Sequence, residues 1–146
     1  MAASQQAKRI AVFCYGSNGI EQVRSRCKNV SIQSEAARLP GWRRVFAGKS
    51  KKWDGGGVAS ILRVDTPSSS CADEDTIFGS VVWLTPTELE MLDAHEGCYE
   101  PRVQDVSVNR YYRARVNICL GTGNAADAAE TTTEGEVYVR TSHEWE

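Results

Sequence analysis

Histidine is almost missing from this chain: His95 and His143 are the only two in 146 residues. A zinc site built on several imidazoles is therefore not expected. Cysteines at metal or redox spacing are missing too. Cys14, Cys27, Cys71, Cys98 and Cys119 are odd in number and form no CxxC. No apolar run exceeds strand length, so no membrane span is expected. The start, MAASQQAKR, lacks the apolar segment of a secretory signal. These absences predict free thiols in a reducing compartment and a cytoplasmic protein. A Gly-rich phosphate loop and a Ser/His/Asp order are also lacking, so neither metal nor cofactor is expected.

What is present is ordinary globular material. Hydrophobic residues make up 41% and charged residues 25% of the chain. A chain of this length buries enough surface to fold without a staple, and it reads as one domain over 1–146, with flexible ends at 1–8 and 142–146. The net charge of -2 hides an asymmetry. Residues 1–63 hold 12 basic and 3 acidic side chains, a net of +9, and residues 64–146 hold 5 and 16, a net of -11. The stretch Arg38–Lys52 carries six basic residues and no acid. No nucleic-acid motif accompanies it, so the two halves are expected to pair within one fold and no nucleic-acid partner is expected.

Apolar periodicity places the elements. Arg9–Cys14 reads as a buried strand that runs into the turn cluster Tyr15-Gly16-Ser17-Asn18-Gly19. A short helix follows over 20–28, with Ser17 or Asn18 as its cap. Strands are predicted over 32–39, Trp42–Gly48 and Val58–Val64, and a mobile acidic loop over Asp65–Asp75. Ile77–Leu84 is the most apolar run and reads as a central strand. Thr85-Pro86-Thr87-Glu88 is a capping box with proline at the first helical position, and Gly97 stands where a helix-ending glycine belongs, so a helix is predicted over 86–96. Arg102–Val108, Tyr112–Leu120 and Gly135–Thr141 read as strands, with Arg113, Arg115 and Asn117 on a wet face, and 121–134 reads as a flexible loop. The sum is an α+β fold: a small mixed-sheet barrel of about seven strands with two or three short helices.

Two places could carry chemistry. Glu96 lies in the last turn of a predicted helix, at the negative end of its dipole, where a carboxylate is pushed towards the pKa a general base needs. The loop Tyr15–Asn18 joins a strand to a helix start, and such a loop presents backbone N–H groups that suit a carboxylate or phosphate. Cys14 reads as a small buried hydrophobe, and His95 as structural.

Three blocks resemble the γ-glutamylcyclotransferase-like family. Val12–Asn18 is similar to its strand followed by a YGSN loop, and Trp53–Ile61 to its W-x-G-G-x-A-x-I segment. Phe78–Leu84, with the helix end Leu92-Asp93-Ala94-His95-Glu96-Gly97, is similar to its G-x-V-W strand and L-D-x-x-E-G motif. The resemblance implies that the amides of Tyr15, Gly16, Ser17 and Asn18 hold a γ-glutamyl head group and that Glu96 is the catalytic acid/base. It places Tyr99 and Tyr138 in the pocket. The implied reaction cyclises a γ-glutamyl amino acid to 5-oxoproline and frees the amino acid, without cofactor or metal. The implied partner is a small γ-glutamyl substrate, with a homodimer left open.

The chain departs from that pattern at Gly19, where relatives carry an apolar residue, and it stops soon after Tyr138, where many continue. The glutathione-specific branch lacks the Asn after YGS, which favours γ-glutamyl dipeptides or γ-glutamylamines over glutathione. The alternatives are a cyclotransferase for γ-glutamyl-ε-lysine or related γ-glutamylamines, and a binding module that keeps the fold without turnover.

Overall fold

The computed structural model describes residues 8–15, 19–50, 56–64, 76–121 and 131–141, with 46–50 and 56–59 described by backbone alone. The described elements are β1 (Ile10–Cys14), α1 (Ile20–Arg26), β2 (Ser34–Pro40), β3 (Trp42–Ser50), β4 (Gly56–Arg63), β5 (Thr76–Leu84), α2 (Pro86–Glu96), β6 (Tyr111–Leu120) and β7 (Thr132–Arg140). Five strands close a barrel in the order β1-β5-β2-β6-β7, and β3 and β4 form a separate two-stranded ribbon. The closing pair, β1 with β7, is parallel; β1–β5, β2–β5, β2–β6 and β6–β7 are antiparallel.

Both faces of β1 and much of β5 are apolar because both are covered. Ala11, Phe13, Val81, Ile118 and Val137 belong to one core cluster, which Trp42 and Ile61 of the ribbon join. Val12, Cys14, Val82 and Leu84 belong to a second, shared with Val23 of α1 and Leu89 and Leu92 of α2. Full burial of a side chain such as Leu92 contributes about 1.5–3 kcal/mol.

Two glycines let neighbouring strands press against β1 from either side. A Cβ on Gly79 of β5 would overlap the Cys14 carbonyl, and one on Gly135 of β7 would sit 2.5 Å from the Ala11 carbonyl and 2.6 Å from Ile118. Gly135→Ala should therefore cost about 1–3 kcal/mol, as overpacked core sites do. A shift in the urea midpoint checks this, and an unchanged midpoint would show that the β1–β7 seam has room.

The predicted helix over 86–96 is present with the same bounds. The Thr85 hydroxyl accepts from the Glu88 amide at 3.2 Å, and the Glu88 carboxylate accepts from the Thr85 amide at 2.9 Å. Gly97 ends the helix in the left-handed region, φ 67°. Burial pushes the Glu88 carboxyl up, but hydrogen bonds from Thr85 and from the Asn29 amide outweigh it and hold the group below its usual value. Its contribution to stability is thus full above the ordinary carboxylate range and is lost as the pH falls through it. Thr85→Ala should cost about 1 kcal/mol at neutral pH. It should also flatten the acid-side loss, as urea midpoints at neutral and acidic pH would show.

Three expectations are corrected. Arg102–Val108 is not a strand but a run of turns, closed by the Val103 amide on the Glu100 carbonyl and the Val108 amide on the Asp105 carbonyl, and braced by the buried Asn109 side chain. That side chain accepts from the amides of Tyr99 and Glu100 and donates to the carbonyls of Glu100 and Val103. Arg113 is not on a wet face: only 13% of its side chain is exposed, and two carboxylates hold it. The cap of α1 is Gly19, with no side-chain bond, rather than Ser17 or Asn18. In addition, β7 begins at Thr132, three residues before the predicted Gly135. The expectations for the chain ends fall on residues 1–7 and 142–146, outside the described ones. So do those for the loops at 65–75 and 122–130 and for Trp53–Gly55. Among the described residues, Cys14, Cys27 and Cys98 are free and buried, and Cys119 is buried.

Candidate functional site

The buried residues of α2 are Glu88, Leu89, Leu92, Asp93 and Glu96, one face of the helix with three carboxylates on it. A buried carboxylate needs a specific partner, since desolvation of a charge is otherwise prohibitive. Each of the three has one. Glu88 has the cap and Asn29, Asp93 has Tyr138 and Arg113, and Glu96 has Arg26.

Glu96 is 8% exposed and lies one residue before the helix-ending glycine. Arg26, in the last turn of α1, donates to its Oε1 at 3.2 Å. The charge of this carboxylate reaches the end of β1. Burial, with the charge of Glu96 adding, pushes the Cys14 thiol up to about 12. Burial, then Tyr111, pushes the Tyr15 hydroxyl well above its usual value, with a hydrogen bond from Ser60 opposing and Glu96 adding a smaller push. Tyr15 therefore remains a neutral donor, and its hydroxyl donates to the backbone carbonyl of Tyr138. Burial likewise raises Cys27 and Cys98 to about 11. A thiol held protonated is a poor nucleophile, whereas a buried carboxylate is a group that can exchange a proton.

The structure links Tyr15 to the backbone of Tyr138 and Glu96 to Arg26. Tyr99 is 73% exposed. The Tyr138 side chain is buried, and its hydroxyl donates to Asp93 Oδ1 at 2.5 Å. Gly16, Ser17 and Asn18 lie outside the described residues. No group of three His, Cys, Asp or Glu side chains among the described residues could hold a metal ion. No described helix is long and apolar enough to cross a membrane.

Sequence reasoning missed a second set of charges. Arg113 Nε lies 3.0 Å from Asp93 Oδ1, and its Nη1 lies 2.8 Å from Glu136 Oε1. Arg102 also pairs with Glu136 at 2.8 Å. Burial pushes the Asp93 carboxyl up, and Tyr138 and Arg113 only partly offset that. Arg26 was missed as well. The available signal was positional: Asp93 shares a helix face with Leu89 and Leu92, and Glu136 sits inside an apolar strand.

Residues 12–145 match the family described as "Gamma-glutamyl cyclotransferase, AIG2-like". Among solved structures, an uncharacterized protein from Homo sapiens is 24% identical with a TM-score of 0.66, over 94% of this chain and 69% of its own. A gamma-glutamyl cyclotransferase is 23% identical with a TM-score of 0.66, over the same 94% and 69%. A yeast gamma-glutamyl cyclotransferase specific to glutathione is 18% identical with a TM-score of 0.59, over 91% and 69%. At these identities the likeness is one of fold, and the α+β barrel with its ribbon is that fold. No curated protein sequence gives a match.

Proposed function

Because the chain belongs to the gamma-glutamyl cyclotransferase, AIG2-like family, we propose that it converts a γ-glutamyl amine to 5-oxoproline and the free amine, with Glu96 as general acid/base. The observation that carries this is the buried Glu96 carboxylate at the end of α2, fixed by Arg26 and with its charge reaching the end of β1. The substrate's α-amine attacks its own γ-carbonyl carbon. A C–N bond forms, the original amide C–N bond breaks, and the five-membered ring closes. Glu96 takes a proton from the attacking amine and returns it to the leaving amine, so no further reactant is needed. No protein nucleophile is required, which fits thiols held protonated. Folding the substrate so that amine and carbonyl meet is the remaining task, and a closed barrel end suits such proximity catalysis.

In this reading the backbone of Tyr15–Asn18 grips the γ-glutamyl group, and donors there stabilise the developing oxyanion. The Tyr15 hydroxyl is spent on the Tyr138 carbonyl and positions the end of β1. We assign the substrate to γ-glutamyl dipeptides or γ-glutamylamines. The test is 5-oxoproline release from γ-glutamyl-alanine, γ-glutamyl-ε-lysine and glutathione. Release from either of the first two supports the assignment. Release from glutathione alone would overturn the substrate class, and release from none would leave a binding module on this fold.

A further inference from the structure

A cleft of about 800 Å³ opens beside β4, β6 and β7, and its lining holds four arginines and no acidic residue. None of Cys14, Tyr15, Arg26 or Glu96 lines it. Trp42, Ile61 and Val139 give it a floor of buried core side chains, so its shape is set by the barrel and the ribbon.

Two of its four guanidinium groups are already committed. Arg102 donates to the Arg113 carbonyl at 2.8 Å and pairs with Glu136, and Arg113 pairs with Asp93 and Glu136. The other two are not. Arg63 lies over the Trp42 ring, 5.3 Å from its centroid. Arg115 stands opposite Glu136 in the β6–β7 register, but Glu136 is taken by Arg102 and Arg113. Neither Arg63 nor Arg115 makes an ion pair among the described residues. Both also line an adjoining cleft of about 740 Å³, where Lys8 and Arg9 offset Glu134 and Glu136. They therefore stand where two hollows meet.

Cations without a counter-charge, set in a concave site over an apolar floor, concentrate anions. A guanidinium presents two N–H groups in a fixed fork that matches the paired oxygens of a phosphate or carboxylate. Stacking on Trp42 fixes one of these forks in place. We propose that this cleft binds a small dianion, a ligand carrying two acidic groups of the phosphate or carboxylate kind, held between Arg63 and Arg115. The site is separate from Glu96 and stands whether or not that residue performs chemistry.

Calorimetric titration at constant ionic strength, with inorganic pyrophosphate and with succinate as probes, tests it. Saturable one-to-one binding of at least one probe is expected, and which probe binds separates the phosphate from the carboxylate source. Arg63→Gln and Arg115→Gln should each weaken binding by roughly tenfold or more, the loss of one charge-assisted fork. The double variant should abolish it. Arg115 is exposed, so Arg115→Gln should melt with the wild type and keeps the test valid if Arg63→Gln, which loses its ring contact, does not. Glu96→Gln should bind as the wild type does. The proposal fails if neither probe binds saturably, if binding survives in the double variant, or if Glu96→Gln removes it. It also fails if a short single-stranded RNA binds and neither dianion does, which would make the surface a polyanion track instead.

Discussion

Glu96→Gln should fold as the wild type does and release 5-oxoproline about 10²–10⁴-fold more slowly, the range general acid–base catalysis supplies. The substitution keeps the shape of the side chain and removes only its ability to carry a proton. Loss of the ion pair with Arg26 should matter little for stability, because 30% of the Arg26 side chain already meets solvent. Turnover and melting temperature measured on the same preparation separate the two effects. An active variant would end the assignment of Glu96 as acid/base. An inactive variant that also fails to melt cooperatively would make Glu96 a structural residue.

The largest loss of stability is expected from Arg113→Met. Arg113 is the shared partner of two carboxylates whose side chains are 10% and 8% exposed, Asp93 and Glu136. Removing one partner of a buried ion pair typically costs about 3–5 kcal/mol; here, among the described residues, Glu136 keeps Arg102, while Asp93 keeps only the Tyr138 hydroxyl and carries most of the loss. Urea unfolding at neutral pH should show a loss of that size. The pH dependence adds a second readout. Burial already holds the Asp93 carboxyl above its usual value. Without the guanidinium, protonation of Asp93 becomes the way to relieve the buried charge, so the variant should regain part of its stability as the pH falls. A variant within 1 kcal/mol of the wild type, with an unchanged pH slope, would mean that water compensates these carboxylates.

The two missed features share a cause. The helix over 86–96 could be read because its signals are local: a capping box at Thr85–Glu88 and a glycine at position 97 lie within one helix of each other. Glu96 could be placed for the same reason. The Arg113–Asp93–Glu136 cluster could not, because it depends on the β6–β7 register, in which Arg113 faces Tyr138 and Arg115 faces Glu136, and on α2 packing over that face. Alternation in the sequence gives each strand two faces but not what covers them. The error at Arg102–Val108 is of the same kind. Val103, Val106 and Val108 suggest a strand, yet the buried Asn109 amide meets the backbone of Tyr99, Glu100 and Val103. A side chain that satisfies local backbone groups outcompetes a sheet ladder. Of the predicted loop, Tyr15 donates to the Tyr138 carbonyl, while Gly16–Asn18 lie outside the described residues.

The parallel pairing of β1 with β7 has a consequence for biosynthesis. Ala11 meets Gly135 and Phe13 meets Val137, so the first described strand is partnered by the last of the seven described ones. The barrel cannot close until β7 has emerged. Until then one edge of an intensely apolar strand waits unpaired, and such an edge templates aggregation. Closure by so distant a contact carries a high loop entropy and places the protein among slow folders. Translation rate and holdase chaperones should therefore govern its soluble yield more strongly than the stability of the finished barrel does.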